Sequence, residues 1–224
     1  MKRAKTSKAW MKEHVSDFFV KKAKKEGYRS RAAFKLIEIV ERDQLIRPGM
    51  TIVDLGSAPG SWSQVLVEKL GGKGKVIALD RLEMATLPGL TFIKGDFRET
   101  QVLAELEETL GISIPDLVIS DMSPNITGIA VSDQARGMDL AELALQFAVR
   151  QLNSGGNFLV KVFQGSGFDE FLRTMREEFH RVVVRKPEAS RNRSSEMYLL
   201  GLGKRADASA RSAGARRPPG IELL

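Results

Sequence analysis

Cysteine is absent from this chain. Its absence excludes disulfides, iron–sulfur clusters, thiolate zinc sites and any cysteine nucleophile. Histidine is nearly absent: His14 and His180 lie far apart in sequence, which argues against a histidine metal cluster. No apolar run reaches the roughly 18 residues that suggest a membrane span. The opening MKRAKTSKAWMKEH has no apolar segment of the signal-peptide kind, so a cytoplasmic protein without membrane attachment is expected. Two phosphate-binding spellings are missing as well. The stretch VDLGSAPGSWSQVL (53–66) reads as a buried strand, a glycine turn and the start of a helix. A P-loop would follow its second glycine with lysine, whereas Gly60 is followed by Ser61 and Trp62. The dinucleotide fingerprint G-x-G-x-x-G fails too, because three residues separate Gly56 from Gly60. The turn therefore suits something near a nucleotide in shape, without an obvious pyrophosphate.

What is present is a core and an uneven charge. With 224 residues, 42% of them hydrophobic, the chain can bury one large α/β domain. Residues 1–35 carry twelve lysines and arginines against three acids, Glu13, Asp17 and Glu26. That segment's net charge of +9 exceeds the +7 of the whole chain, so the remainder is slightly acidic. Runs such as KKAKKEGYRSR are often only solvated helix faces. Here Trp10, Phe18, Phe19 and Tyr28 interleave the charges, which points to phosphate-backbone binding. The expected organisation is a basic arm over 1–30, an α/β domain over 31–203, and a disordered basic tail over 204–224.

Within the domain, SRAAFKLIEIVERD (30–43) has helical spacing, with Ser30 as its N-cap. Strands and helices then alternate: TIVDL, SWSQVLVEKL, KVIALD, TFIKGDF, a helix around 101–110, DLVISD, GMDLAELALQFAVRQL, NFLVKVF and FDEFLRTMREEF. This alternation predicts a doubly wound, mostly parallel sheet. HRVVVRKP and EMYLLGLG are separated by too few residues for a helical crossover, so the last two strands are expected to be antiparallel.

In open α/β sheets, ligands sit at the carboxyl ends of the strands. Four of those ends carry a carboxylate here: Asp54, Asp80, Asp96 and Asp121. One such residue is commonly a cap or a turn former; four in series suggest a site. Asp80 lies near the position where an acid bonds the ribose hydroxyls of an adenosine ligand, and Asp96 could accept from an adenine amino group. A carboxylate-lined site without lysine suits S-adenosylmethionine, whose sulfonium is cationic.

DLGSAPGSW, the spaced aspartates, SDMSPNITG, GGNFLVKVFQG and the upstream GYRSRAAFKL together resemble the FtsJ/RlmE family of ribosomal RNA large-subunit 2′-O-methyltransferases, over roughly residues 8–203. The resemblance implies an α/β, Rossmann-like fold with a seven-stranded, mostly parallel sheet and an antiparallel last strand. It implies S-adenosylmethionine as methyl donor and a uridine 2′-hydroxyl in the A loop of 23S rRNA, in the large ribosomal subunit, as acceptor. A monomer is expected. Carried over by motif, the cofactor-binding residues are Gly60, Trp62, Asp80, Asp96 and Asp121, and the catalytic set is Lys35, Asp121, Lys161 and Glu196. No metal is implied.

Methyl transfer is an in-line displacement, so alignment of acceptor oxygen and leaving group supplies much of the rate. Lys161 stands in an apolar strand, where lysine is costly unless paired. Its role is the base that takes the hydroxyl's proton or the cation that stabilises the developing alkoxide, and the residues alone leave both open. Arg185, Lys186, Arg191 and Arg193 precede Glu196 and are expected to contact phosphates. Two competing readings are a non-catalytic RNA-binding factor in ribosome assembly and a base N-methyltransferase. The first leaves the four carboxylates unexplained. The second usually carries [ND]-P-P-[FYW] where this chain has DMSPN.

Overall fold

The computed structural model describes residues 17–125, 127–191 and 194–206. Two helices come first, α1 (Phe18–Glu26) and α2 (Ala32–Asp43). Next are β1 (Thr51–Leu55), α3 (Ser61–Leu70), β2 (Lys75–Asp80), β3 (Leu90–Lys94), α4 (Thr100–Leu110) and β4 (Leu117–Ser120). The chain continues with α5 (Ala130–Gln151), β5 (Asn157–Phe163), α6 (Phe168–Glu178), β6 (Phe179–Arg185) and β7 (Glu196–Lys204). The seven strands form one sheet in the order β3-β2-β1-β4-β5-β7-β6. β1 to β5 pair in parallel, while β7 runs antiparallel to both β5 and β6. The short loop before β7 permits only that sense, as expected.

Each face of the sheet has its own core. Val53, Leu55, Ile77, Val118, Phe158 and Val160 point toward α4, α5 and α6. Ile52, Val76, Leu117, Ile119, Leu159, Tyr198 and Leu200 point toward α2 and α3. Strand residues alternate between faces, so the register sets which polar residues continue each apolar row at the carboxyl edge. Asp54 pairs with Ala78 and Ile119; Asp80 and Asp121 lie two residues beyond those partners. Lys161 pairs with Tyr198, and Phe163 with Glu196. Asp54, Asp80, Asp121, Lys161, Tyr198 and Glu196 therefore share the α2/α3 face.

The basic segment is partly folded. Asp17 caps α1, accepting from Phe19 and Val20 backbone amides at 2.9 and 3.4 Å, and Gly27 ends the helix in the left-handed conformation. Val20 and Ala23 are buried, and Ala23 packs with Phe34 and Ala189. Arg31 pairs with Asp17 and donates to the Ala189 carbonyl. The part of the arm over 1–16, and the tail over 207–224, lie outside the described residues. Ser30 sits one residue before the α2 cap position, where its hydroxyl accepts from Ala32 N–H at 3.2 Å and pairs with Ser61 Oγ at 2.6 Å. α5 begins seven residues before the predicted Gly137, because Asp133 ties the preceding turn. Its carboxylate accepts from Thr127 N–H and Oγ and from Gly128 N–H. No described helix is long and apolar enough to cross a membrane.

Candidate active site

At its carboxyl edge the α2/α3 face turns from apolar to charged. Lys161, only 7% exposed, has three partners there. Its Nζ donates to the Asp121 carbonyl at 2.6 Å, lies 3.1 Å from Asp121 Oδ1, and stands 2.5 Å from Ser123 Oγ. Asp121 is placed by the sheet, its N–H bonding the Leu55 carbonyl just past the end of β4. Across the β5–β7 pair, Tyr198 donates its hydroxyl to Asp121 Oδ1 at 3.0 Å. Lys35 reaches down from α2 to Glu196 Oε1 at 2.7 Å, and Ser190 donates to the same oxygen at 3.0 Å. The structure thus brings together Lys35, Asp121, Lys161 and Glu196 from four separate segments.

The local field is unusual. Burial opposes ionisation of Glu196, yet the charge and hydrogen bond of Lys35, helped by Lys161 and Ser190, hold its carboxyl below the usual value. Tyr198 is pushed well above the ordinary phenol range, by burial first and then by the charges of Asp121 and Glu196. It therefore stays a donor. Tyr198, Ser123 and Ser190 were not singled out from the sequence. For Tyr198 a signal existed, since it lies two strand positions after Glu196 and so on the same face.

Beside this cluster lies a cavity of about 440 Å³ lined by Gly56, Leu79, Asp80, Asp96, Phe97, Met122 and Ser123, among others. That volume is within the ordinary range for small-molecule sites. Asp80 and Asp96 line it; Gly60, Trp62 and Asp121 are not among its lining residues. Asp80 accepts from Ala58 and Leu82 backbone amides at 2.9 and 2.8 Å, fixing the turn while further lone pairs remain for a ligand. Asp96 is held by Arg98, at 2.6 and 3.0 Å, and by Arg81 at 3.5 Å. The Arg98 hydrogen bond brings its carboxyl down to about 2.

Trp62 is core rather than wall: its Nε1 donates to the Ala32 carbonyl at 2.9 Å and its ring lies 5.6 Å from that of Tyr198. Gly56 and Gly60 have φ values of 78° and 99°, and both make room for the protein's own atoms. A Cβ at Gly56 would stand 2.7 Å from Met122 N, and one at Gly60 would overlap an Arg29 guanidinium nitrogen. Arg29 in turn donates to the Pro59 and Thr86 carbonyls, both at 3.0 Å, clasping the turn from outside.

The second basic surface is revised in one place. Arg185 pairs with Asp43 at 2.5 and 2.8 Å, with both side chains mostly buried, so it anchors β6 to α2 rather than facing phosphate. Lys186 bonds the Ser194 and Glu196 carbonyls and so shapes the loop that presents Glu196. Arg193 lies outside the described residues.

The model of the FtsJ-like methyltransferase family matches residues 28–204. This chain belongs to that family. A ribosomal RNA large subunit methyltransferase E from Nitrosospira multiformis is 75% identical over 92% of this chain and all of its own length. The protein of the same name from Methylobacillus flagellatus is 64% identical, over 92% of this chain and 99% of its own. Among solved structures, a Plasmodium falciparum protein assigned as a ribosomal RNA methyltransferase superposes with a TM-score of 0.71 at 29% identity, covering 79% of this chain and 98% of that one. The FtsJ-like match spans every element from α2 to β7, and with them all of the charged cluster and the cavity.

Proposed function

We propose that this FtsJ-like protein methylates a ribose 2′-hydroxyl of large-subunit ribosomal RNA, with a uridine of the 23S A loop as acceptor and S-adenosylmethionine as donor. The names of its relatives support the RNA class. The observation that carries the reading is the Lys35–Glu196 and Asp121–Lys161 pairing beside a carboxylate-lined cavity. The cavity residues fit the donor. Asp80 offers acceptors for ribose hydroxyls, Asp96 for an adenine amino group, and Leu79, Phe97 and Met122 offer apolar walls. When bound, S-adenosylmethionine supplies a methyl group on a sulfonium leaving group.

The rest is the work of the chain. A neutral lysine amine has two N–H donors and one lone pair. The Asp121 carbonyl and carboxylate can only accept, so they take the two donors. Ser123 Oγ accepts from the charged amine and, its hydroxyl being exposed, can donate to the lone pair of the neutral one. A ribose hydroxyl in place of the Ser123 hydroxyl meets that lone pair, and Lys161 takes its proton as the oxygen–methyl bond forms. Lys35, fixed by Glu196, places a second positive charge behind Tyr198 and stabilises the oxygen's developing charge. Exposed Lys21, Lys24 and Lys25 of α1 and the loop around Lys186 flank Ala189, and together form a basic approach for the RNA backbone.

The test is methylation of 23S rRNA with a radioactive methyl donor, followed by digestion to nucleosides. Label on the ribose of a uridine is the expected result. Label on a base would favour the N-methyltransferase reading, and binding without label would favour an assembly factor.

A further inference from the structure

Below the glycine turn, on the interior strand β1, Asp54 is completely buried. Its Oδ2 accepts from Ser63 Oγ at 2.7 Å, while among the described residues Oδ1 has no hydrogen-bond partner, nor has the neighbouring buried Ser57 Oγ. A buried carboxylate oxygen without a donor is costly, and a carboxyl proton relieves that cost. The strands on either side bring like charges to the same face: Asp80 from β2 and Asp121 from β4. α3 presents the Ser63 hydroxyl, and the lysines on this face, Lys161 of β5 and Lys35 of α2, pair with Asp121 and Glu196. Burial pushes the Asp54 carboxyl up to about 7, Asp121 and Asp80 add to the rise, and Ser63 opposes it.

The cavity floor at Gly56 lies two residues beyond Asp54. Methyl donor and demethylated product differ by one positive charge at sulfur. We propose that Asp54 reads that charge: it ionises when a sulfonium occupies the cavity lined by Gly56 and Asp80, and is neutral beside the uncharged thioether. The protein thereby prefers donor over product. The balance closes simply. Donor binding sends the Asp54 proton to solvent; methyl transfer removes the positive charge, and Asp54 takes a proton back. Reprotonation also relieves the repulsion that Asp121 and Asp80 exert on Asp54 once the ligand's positive charge has gone. Fixed carboxylates alone would attract the cation but would not relax once it has gone.

This inference rests on the cofactor reading, and the experiment separates the two. S-adenosylmethionine and S-adenosylhomocysteine are titrated calorimetrically into the full chain between about pH 5.5 and 7.5, below the range in which a typical α-amino group titrates. Two buffers of different ionisation enthalpy report the protons released. S-adenosylmethionine should release a fraction of a proton and S-adenosylhomocysteine none, and the affinity ratio should rise roughly tenfold across that range. Asp54→Asn should abolish the release and flatten the ratio. Ser63→Ala, which removes the one donor to the ionised form, should move the rise to higher pH, and it serves if Asp54→Asn does not fold. A wild-type ratio that is flat with pH overturns the inference while both ligands still bind. So does a folded Asp54→Asn protein that still releases the proton. If neither ligand binds at any pH, the cofactor reading falls and this inference with it.

Discussion

Lys161 shows how a single residue changes its meaning with its neighbours. In sequence it is a lysine inside NFLVKVF; in the fold it is a buried amine facing a carbonyl, a carboxylate and a hydroxyl. Lys161→Ala should leave the fold and the affinity for S-adenosylmethionine near wild type, and lower the single-turnover methylation rate by about 10²–10⁴, the usual worth of a positioned proton acceptor. A folded Lys161→Ala protein that reacts within a few-fold of wild type would remove Lys161 from the mechanism. Asp80 makes a contrasting case, since it supports both turn and ligand. Asp80→Asn should weaken donor binding by about 1–3 kcal/mol in calorimetry, with the chemical step at saturation little changed. Such residues were legible to different depths. The strand-end carboxylates stood out because strands end where apolar runs end. The pairing of Lys35 with Glu196 spans most of the chain, and no local pattern encodes it; only the family resemblance suggested it. The orphaned oxygen of Asp54 is a product of packing, invisible in any linear reading.

Among the elements, the strands were read well because a short Val/Ile/Leu run bounded by glycine or aspartate has few other uses. Loop length alone gave the reversed sense of β7. Helix α1 was missed for a physical reason: only Val20 and Ala23 are buried, and five lysines and glutamates in FFVKKAKKE mask so narrow an apolar stripe. Its placement changes the view of the basic segment. The helix is clamped to α2 by Asp17, Arg31 and Ala23, leaving Lys21, Lys24 and Lys25 exposed on its outer side. Replacing these three by alanine should leave donor affinity unchanged and weaken RNA binding. It should also reduce the slope of log affinity against log salt by up to about 2, since each single-strand phosphate contact contributes roughly 0.7. Filter binding across a salt series measures this, and an unaltered slope would mean that α1 does not touch the RNA backbone.

At the scale of the whole molecule, two buried or half-buried carboxyls pull stability in opposite directions with pH. Asp96, held down to about 2 by Arg98, stabilises the fold above the ordinary carboxyl range, and that contribution is lost as pH falls through its folded value. Asp54, pushed up to about 7 chiefly by burial, behaves in reverse. Between about pH 4 and 7 the folded protein keeps a proton that the unfolded chain has released, so stability falls as pH rises through that window and levels off above it. The gap between about 7 and the ordinary value of 3.8 sets a ceiling of roughly 4 kcal/mol on the loss. Asp54→Asn mimics the protonated state at every pH. Thermal melting of the ligand-free protein should therefore give similar midpoints for wild type and Asp54→Asn near pH 4, where the window opens. Near pH 8 the variant should melt several degrees higher, at about 2–4 °C per kcal/mol for a chain of this size. A variant less stable than wild type at pH 8, yet equal to it at pH 4, would mean that the ionised carboxylate contributes to the fold, contrary to its burial without a second donor. The same charge that weakens the empty protein at neutral pH is the one that a cationic ligand would find waiting, so stability given up in the free state reappears as preference for the methyl donor.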